Sequence, residues 1–444
     1  MIAEEREAEC ARIFERLGAE RGLDLEAQEF FVRGEVLKLG ARVLEKFLDW
    51  RLQNEPAPAC QNQHRALTMH SDGKRSKGLR TILGEVTLRR TRWVCPLCGA
   101  VRYAADAALD AAGTGFSPGL RRLMADRGAK EPFGEGAQTL GLHAAVRVDA
   151  KDIERVAEAT GRQAEAWMQE QGAAALALAG CGRPTVAQSP QTLYIEYDGT
   201  GNPMRREELE GVAGKAPDGK AKTREAKIGC VFTQTTLDKE GRPVRDQAST
   251  SYVAAIENST DFGHRIRQEA VRRGLPQAGR VVVLCDDQAY NRTIRDEHFA
   301  QALRIVDHYH ACEHLAAFVR EVARRPLDGP DHQRCYQALD EGRIEDLLED
   351  LAKMLPRVGP RRKKGLREMA YFRRNAEAMR YGQFRRQGLF IGSGVVESSC
   401  RTIVGKRLKQ PGMFWSLPGA NAILALRCCI LSHRFEDFWE QRAA

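Results

Sequence analysis

LYIEYDG at residues 193–199 and RVVVLCDD at residues 280–287 are the two stretches that decide the fold. The first has the alternation and the β-forming residues of a strand, and it ends in Asp198-Gly199. The second begins with a short apolar run, which is typical of a strand buried on both faces inside a mixed sheet. Each strand therefore predicts a carboxylate at its end, Asp198 in one case and Asp286 or Asp287 in the other.

Further elements surround these two strands in a consistent order. KIGCVFTQTT (227–236) and ASTSYVAA (248–255) predict two strands after the first, and RIVDHYH (304–310) predicts one at the end. DFGHRIRQEAVRRG (261–274) and IRDEHFAQAL (294–303) predict helices between them. The order βββ, α, β, α, β matches the ribonuclease H-like fold, in which three antiparallel strands precede two parallel ones.

Acids at these places suit metal-dependent phosphodiester chemistry. Phosphodiester transfer requires negative charge to be stabilised on the entering and the leaving oxygen, which two divalent ions about 4 Å apart achieve. Such ions need hard oxygen ligands on a rigid scaffold. In the ribonuclease H-like arrangement the ligands come from the first strand, the end of the fourth strand and a later helix. Asp198, Asp286 and Glu397 occupy those three places.

Each acid also has a plainer interpretation. Asp-Gly at 198–199 is, taken alone, a common turn. Asp286 follows an apolar strand, where a carboxylate is costly unless it meets water or a cation; from the pattern alone either Asp286 or its neighbour Asp287 is the ligand. Glu397 falls on the first turn of a helix that opens at residue 393 or 394, where an acid complements the positive helix end. The combination of three acids favours the metal site.

The N-terminal third predicts helices followed by a cysteine-containing hairpin. Apolar residues recur at helical spacing within residues 3–54, and TILGEVTLRRTRWVC (81–95) predicts a hairpin. Cys95 and Cys98 then stand in CPLCG, which resembles half of a zinc ribbon. Cys60 and His64 are the upstream candidates for completing a Zn²⁺ site. The plainer interpretation is a tight turn formed at CPLCG.

Residues 117–171 return to helical character. A short helix, a glycine-containing turn at residues 140–142 and a second helix from about Asp149 fit a helix-turn-helix, although such patterns are common in helical proteins. The Ala/Gly/Pro-rich stretch at 173–190 predicts a linker or a helix end. The composition changes to strand-forming residues after it.

The net charge of +9 is concentrated in one segment. Residues 357–409 carry 15 Lys and Arg against three acids, an excess of +12. A solvated helical face or a partly disordered loop would also be basic, but a segment this long and one-sided favours a polyanionic partner, and nucleic acid above all. Within it, Arg361, Arg362, Lys363 and Lys364 form a continuous basic run.

Compartment and size follow from simpler features. The acidic, polar start MIAEEREAEC lacks the pattern of a signal peptide. No apolar run approaches the roughly 18 residues that a membrane span needs. The hydrophobic fraction of 43% over 444 residues allows a large core and two or three domains. We therefore expect a soluble, cytoplasmic protein without a membrane partner, in which most of the cysteines are reduced.

Five blocks of the sequence resemble one family of DNA enzymes. They are TILGEV (81–86), TRWVCPLCG (91–99), YDGT (197–200), VDHYHACEHL (306–315) and GSGVVESSCRTIVGKRLKQPGMFW (392–415). Together they resemble the DDE transposases of bacterial insertion sequences in the Mutator-related superfamily, particularly the ISKra-type group. Aligning the tryptophan of the family's DGAxW block with Tyr290 puts the second acid at Asp286, although Asp287-Gln288 replaces Gly-Ala.

The resemblance implies further residues and a reaction. Asp307 and His310 match the family's [Cys/Asp]-x-x-His motif, so we expect them beside the active site; a hydrogen-bonded pair that braces the strand end is the alternative. The family's upstream CxxC is absent here, which weakens the zinc prediction. We expect DNA contacts near the cut from residues of the last block and from the preceding insertion. The residues expected there are Arg401, Lys406, Arg407, Lys409 and Trp415, with a solvated helix face and a core position for Trp415 as the alternative.

The implied function is Mg²⁺- or Mn²⁺-dependent cleavage at transposon ends followed by strand transfer into target DNA. The implied partners are terminal inverted repeats, target DNA and a second copy of the chain, in the bacterial cytoplasm at the nucleoid. A nuclease of ribonuclease H-like fold that does not join strands, and an inactive transposase-derived regulator that binds DNA, are the competing hypotheses. The expected fold class is α+β and multidomain. Its expected parts are N-terminal helices with a zinc-ribbon-like hairpin (1–112), a helix-turn-helix-like region (113–185), a catalytic core (186–316), an all-α basic insertion (317–384) and the completion of the core (385–444).

Overall fold

The computed structural model describes residues 11–16, 18–19, 24–62, 67–212 and 222–442. The chain divides into two compact units, Met1–Ala157 with Arg442–Ala444 and Glu158–Gln441. Among the described helices, none is long and apolar enough to cross a membrane. The domain boundaries expected from the sequence stay predictions.

The first unit begins with a long helix and a three-stranded sheet. Helix α1 (Leu25–Arg51) is capped by Asp24, whose side chain accepts a hydrogen bond from the Ala27 N–H at 2.9 Å. Strands β1 (His70–Thr81) and β2 (Gly84–Val94) form an antiparallel hairpin, and β3 (Val101–Arg102) pairs with β2. A hairpin is present, but the prediction that it lies within residues 81–95 is wrong, because these residues hold only its turn and its second strand and the first strand begins at His70.

Three helices follow in this unit and a fourth begins in it. They are α2 (Ala104–Ala108), α3 (Pro118–Lys130), α4 (Phe133–Ala144) and α5 (Ala150–Gly180). The turn predicted at residues 140–142 is wrong, because these residues lie inside α4 and Leu140 is buried in the core. The chain reverses one turn later, at Ala145, which has a left-handed backbone with φ of 54°. The helix predicted from about Asp149 is confirmed as α5.

The second unit contains a mixed five-stranded sheet and a small hairpin. Its strands are β4 (Thr192–Pro203), β5 (Thr223–Gln234), β6 (Thr236–Leu237), β7 (Pro243–Val244), β8 (Ser251–Ala255), β9 (Arg280–Cys285) and β10 (Leu303–Val306). The large sheet has the order β10-β9-β4-β5-β8. Strands β4, β5 and β8 pair antiparallel, whereas β9 is parallel to β4 and β10 is parallel to β9. The predicted pattern of three antiparallel strands and two parallel ones is confirmed, and it is compatible with a ribonuclease H-like fold.

Two helices connect the parallel strands. They are α6 (Ser259–Arg272) and α7 (Ala289–His298). The core against the sheet includes Ile195, Phe262, Ile266 and Val283, all fully buried. Helix α7 was predicted at 294–303, and it begins at Ala289, directly after the acids that end β9. The second helix is thus nearer to the candidate site than the sequence pattern indicated.

The final predicted strand is shorter than expected. Strand β10 ends at Val306, and helix α8 (His308–Ala317) follows immediately. Asp307 is the reason, because its side chain accepts a hydrogen bond from the His310 N–H at 2.8 Å and so caps the new helix. The prediction of a strand through His310 is wrong for residues 308–310.

A helical segment separates β10 from the last candidate acid. It comprises a π-helical turn (Phe318–Val322), α9 (Pro330–Glu341), α10 (Ile344–Met354), α11 (Pro360–Arg374), a 3₁₀ turn (Ala376–Met379) and α12 (Tyr381–Arg386). Phe318, Leu347, Leu351 and Phe372 are fully buried within this unit. The expected all-α character of residues 317–384 agrees with these elements.

The chain then completes the second unit with more helix. The elements are α13 (Gly394–Ser399), a π-helical turn (Cys400–Gly405), α14 (Lys406–Leu408), α15 (Leu417–Leu431) and α16 (Phe435–Arg442). Helix α15 is almost entirely buried from Gly419 to Cys429. The predicted helix start at residue 393 or 394 is confirmed by α13, and Glu397 lies on its first turn.

Candidate active site

Asp198 and Asp286 come from the two central parallel strands of the sheet. Asp198 lies within β4, opposite Ile228 of β5, and Asp286 directly follows β9. The Gly199 N–H donates to Asp198 Oδ1 at 2.7 Å. Burial raises the pKa of Asp198, and the negative charge of Asp286 raises it further. Two carboxylates that repel each other in this way form a site whose electrostatics a cation would relieve.

Asp287 has different surroundings from its neighbour. Its side chain is 1% exposed, and Arg304 contacts Oδ1 at 2.6 Å while Arg374 contacts Oδ2 at 2.7 Å. Asn375 adds a hydrogen bond to Oδ2 at 3.0 Å. Although burial opposes the change, these hydrogen bonds lower the pKa of Asp287. Asp287 is thus an ionised structural anchor between the end of β9 and the end of α11.

Among the described residues, hydrogen bonds are made to only one of the two carboxylate oxygens of Asp286. Its Oδ1 accepts hydrogen bonds from the Gln288 N–H at 3.1 Å and from the Asn291 side chain. These contacts orient the carboxylate at the start of α7 and leave Oδ2 for a ligand. Asp286 thus has an oxygen that is open to a ligand, whereas the Asp287 carboxylate is enclosed by guanidinium groups.

Glu397 is positioned by contacts on both sides of its helix start. Ser393 Oγ donates to Glu397 Oε1 at 3.2 Å, and the Ser393 N–H donates to Asp307 Oδ1 at 2.6 Å. The Val396 N–H donates to Glu196 Oε2 at 3.0 Å. The first turn of α13 is consequently tied to β4 through one acid and to the end of β10 through another.

Asp307 and His310 form a buried ion pair. The Asp307 side chain is fully buried, and its Oδ2 contacts His310 Nδ1 at 2.8 Å. This hydrogen bond raises the pKa of His310 to about 9. Burial would raise the pKa of Asp307, but the hydrogen bonds from His310 and Ser393 lower it. At neutral pH the pair is therefore an imidazolium and a carboxylate, which brace the end of the strand.

Two different groups of side chains could hold a metal ion. Ligand atoms of Asp307, His310 and Glu397 all lie within 4.8 Å of one another. However, Mg²⁺ prefers oxygen ligands, and this group offers an imidazole nitrogen beside its two carboxylates. Asp198, Asp286 and Glu397 do not form such a tight group in the part of the chain that the structure describes. Asp198 and Asp286 offer carboxylate oxygens, the donor type that a hard divalent ion prefers.

Glu196 is a site residue that sequence reasoning missed. It precedes Asp198 by two positions on β4 and is fully buried, and burial raises its pKa to about 8. One carboxyl oxygen accepts a hydrogen bond from the Val396 N–H, and the other has no hydrogen-bond partner among the described residues. The signal was present in LYIEYDG, because an acid at the centre of an apolar strand is costly without a role.

The basic residues expected near the cut fall into two groups. Arg401, Lys406 and Lys409 are exposed, and Lys409 Nζ donates to Thr200 Oγ1 at 2.6 Å, two residues beyond Asp198. Arg407 and Trp415 are buried, with the guanidinium 5.0 Å from the indole ring. The expectation that Arg407 and Trp415 contact DNA is therefore corrected: they are packing residues, and their burial keeps them from the surface.

The basic run on α11 is also divided. Arg361 and Lys363 are exposed, whereas Arg362 donates to the Pro356 carbonyl at 3.0 Å and Lys364 pairs with Glu321. The exposed side chains of Arg361 and Lys363 are accessible to a polyanion. Arg361 also donates to the Val322 carbonyl at 3.4 Å, so Arg361, Arg362 and Lys364 all contact neighbouring segments.

Three cysteines meet at the hairpin of the first unit. The sulfur atoms of Cys60, Cys95 and Cys98 lie within 4.8 Å of one another, and those of Cys60 and Cys98 are 3.7 Å apart. The Cys98 backbone N–H lowers the pKa of Cys95 to about 7, which favours the thiolate that zinc requires. His64, the fourth predicted ligand, lies outside the described residues. The three sulfurs fit zinc, for which a structural site ordinarily has four ligands.

Comparisons with known proteins add little information about this site. No family model and no curated protein matches the chain. Among solved structures, the Drosophila P element transposase strand transfer complex is similar at 10% identity and a TM-score of 0.20. The likeness covers 58% of this chain and 67% of that chain. A likeness this weak supports no conclusion about the fold or the activity of this chain.

Proposed function

We propose that this chain is a DDE-type transposase, which cleaves DNA at transposon ends and joins the freed 3′-hydroxyl to target DNA. One observation carries the proposal. Two mutually repelling carboxylates, Asp198 and Asp286, stand on adjacent parallel strands, and a helix bearing Glu397 is tied to the first of those strands. Acids placed in this way on a mixed sheet suit the in-line displacement of a phosphodiester.

Asp198 and Asp286 would hold the divalent ions, Mg²⁺ or Mn²⁺, and Glu397 would complete one coordination sphere. Bound there, two ions would stabilise the charge on the entering and leaving oxygens of the displacement. The same site serves cleavage and joining, because only the nucleophile changes between water and a DNA 3′-hydroxyl. Asp307 and the imidazolium of His310 position the Ser393 turn and hence Glu397. Lys409, held at Thr200, is placed to contact a DNA phosphate near the cut.

The finer assignment, to the Mutator-related superfamily and its ISKra-type group, rests on the sequence blocks. It agrees with the placement of Asp307 and His310 beside Glu397. We further propose that the first unit contacts the terminal inverted repeats, with zinc at the cysteine hairpin. The exposed basic residues of α11 would grip flanking DNA through phosphates. Two ends must be brought together for transposition, so a dimer or larger assembly on DNA is part of the proposal.

The test uses purified protein and DNA that carries the inverted repeats flanking its gene. With Mg²⁺ the protein should nick at the repeat end and join that end to a second duplex. Asp198→Asn and Asp286→Asn should abolish both reactions while DNA binding is retained. Asp296→Asn, at an exposed position on α7, is the matched control and should be fully active.

Three outcomes separate the hypotheses. Nicking without joining would favour a nuclease. DNA binding without either reaction, under both Mg²⁺ and Mn²⁺, would favour an inactive regulator. Undiminished cleavage by Asp198→Asn would contradict the assignment of the site itself.

A further inference from the structure

A cavity of about 390 Å³ opens directly beside the candidate active site. Asp286 and His310 form one wall, and residues of α8 and α11 form the other; those of the second wall are His314, Arg367, Glu368, Tyr371 and Arg374. This volume lies in the range of roughly 300–1,000 Å³ found for pockets that take small organic ligands. It suits a single nucleotide and is too small for a base pair together with its backbone.

The second wall presents an aromatic surface. The rings of His314 and Tyr371 stack with centroids 3.9 Å apart and an interplanar angle of 24°. Tyr371 is 7% exposed and provides the backing, while the His314 side chain is 41% exposed. Glu368 fixes the imidazole through a 2.7 Å contact to Nδ1. A flat ring held rigidly at the edge of a cavity is a platform on which a nucleobase can stack.

A basic side chain without a partner also lines the cavity. Arg367 is exposed and forms no ion pair or hydrogen bond among the described residues. Its guanidinium suits a phosphate.

The acids of the cavity do not offset this preference for an anion. Asp287 is neutralised by Arg304 and Arg374, and Glu368 is bonded to His314. Asp286 is the remaining carboxylate, and in the proposed function it binds a cation. Arg367 is thus the basic side chain of the second wall that has no ion-pair partner among the described residues.

We propose that this cavity binds one unpaired nucleotide of the DNA strand next to the scissile phosphate, with its base on His314 and its phosphate at Arg367. The proposal rests on the proposed function, because Asp286 belongs to both sites. Removing a base from the stack costs free energy, and the cost is least where the base is already unpaired. Binding the displaced base would hold the strand open at the reacting bond.

The test compares two duplexes of the same sequence, one fully paired and one with a single bulged 2-aminopurine, in Ca²⁺ to suppress cleavage. Wild-type protein should bind the bulged duplex roughly tenfold more tightly and quench the fluorescence of the base. His314→Ala and Arg367→Ala should bring the ratio of the two affinities close to unity. His314→Phe, which keeps a flat ring, should restore most of the ratio and the quenching.

Arg373→Ala is the matched control, since Arg373 is exposed on the same helix and does not line the cavity. It should weaken binding of both duplexes equally and leave the ratio intact. Equal binding of the two duplexes by the wild type would overturn the nucleotide site. A preference for the bulged duplex that persists in both alanine variants would overturn it as well. Nicking of end-bearing DNA, measured on the same preparations, separates the two proposals. If the protein nicks DNA but binds both duplexes equally, the transposase assignment stands and the nucleotide site does not. If it prefers the bulged duplex but does not nick, only the nucleotide site stands.

Discussion

Asp286 and Asp287 are neighbours in the chain with opposite electrostatic surroundings, and substitution should separate their roles. Asp287→Asn removes the charge that pairs with Arg304 and Arg374 in a nearly dry setting. Breaking a buried pair from one side costs about 3–5 kcal/mol, so its free energy of unfolding and its Tm should fall markedly. Asp286→Asn should unfold at or above the wild-type temperature while losing Mg²⁺-dependent cleavage. Thermal denaturation and a nicking assay on both variants would check this, and the reverse pattern would exchange the two assignments.

Glu196 provides a prediction about pH. Its unfolded pKa is near 4.5 and its folded pKa is about 8, so between these values the folded state keeps a proton that the unfolded state has lost. The stability of the metal-free protein should therefore fall as the pH rises through this window. Glu196→Gln cannot ionise and its amide oxygen still accepts from Val396, so its stability relative to wild type should increase from pH 5 to pH 8 by an amount on the order of 1 kcal/mol or more.

Urea denaturation at both pH values measures this difference. Glu240→Gln, at an exposed hairpin position, is the control and should show no such trend. A difference between the Glu196→Gln variant and wild type that is constant with pH would mean that the buried carboxyl is ionised throughout.

The contacts of single residues are only partly predictable from the sequence. Arg292, a partner of Asp287, lies five positions further along the chain, but the other three partners lie 17, 87 and 88 positions away, and no local pattern reveals those.

At the scale of elements, the strands were predictable and several helix boundaries were not. The apolar content of β9 and the alternation of β4 are local properties, so the sheet could be anticipated. Helix α8 could not, because Ile305, Val306 and Tyr309 favour a strand and the capping contact of Asp307 that ends the strand depends on the folded structure. The π-helical turn at Cys400–Gly405 has no sequence signature either; it carries Cys400, whose sulfur lies 3.8 Å from Asp198 Oδ2. Such turns occur frequently at functional sites.

The cysteine hairpin should contain zinc. Three sulfurs are already close together, and the depressed pKa of Cys95 favours the bound thiolate. Metal analysis of the purified protein should find zinc in stoichiometric amount, and Cys95→Ser should lose it and unfold at a lower temperature. Cys181→Ser, at an exposed cysteine of the other unit, should keep both properties. Metal-free wild-type protein with an unchanged Tm in Cys95→Ser would show that the hairpin is stable without zinc.

Helix α11 should bind DNA through its exposed basic side chains. Replacing Arg361 and Lys363 by Glu should weaken binding of any duplex and reduce the slope of log K against log salt by roughly 1 for each lost phosphate contact. Arg242→Glu, on the small hairpin, is the control because it is 73% exposed and far along the sequence. Fluorescence anisotropy over a range of salt concentrations gives both slopes. Equal slopes for the double variant and the control would remove α11 from the DNA surface.

Over the whole molecule, the charge count from the sequence overstates the basic surface. Several arginines of residues 357–409 pair with acids, most of which lie outside that segment. The pairs are Arg374–Asp287, Arg380–Glu345, Arg380–Glu377 and Arg385–Asp340. Arg407 is buried as well. A linear sum cannot separate structural guanidinium groups from exposed ones, so the excess of +12 located the basic region without showing which residues face a partner.

The stability of the whole protein should respond to divalent ions through Asp198 and Asp286. Burial raises the pKa of Asp198 and the charge of Asp286 raises it further, and the repulsion between the two carboxylates disfavours the folded state without metal. A cation bound between them stabilises the folded state by about 2.7 kcal/mol when its concentration is 100 times its Kd. Adding Mg²⁺ should therefore raise the Tm of the wild type. Asp198→Asn should be more stable than wild type in EDTA and should gain nothing from Mg²⁺, because the repulsion and the site are removed together. Calorimetry with and without Mg²⁺ tests both parts, and an Asp198→Asn variant that still responds to Mg²⁺ would place the ion elsewhere.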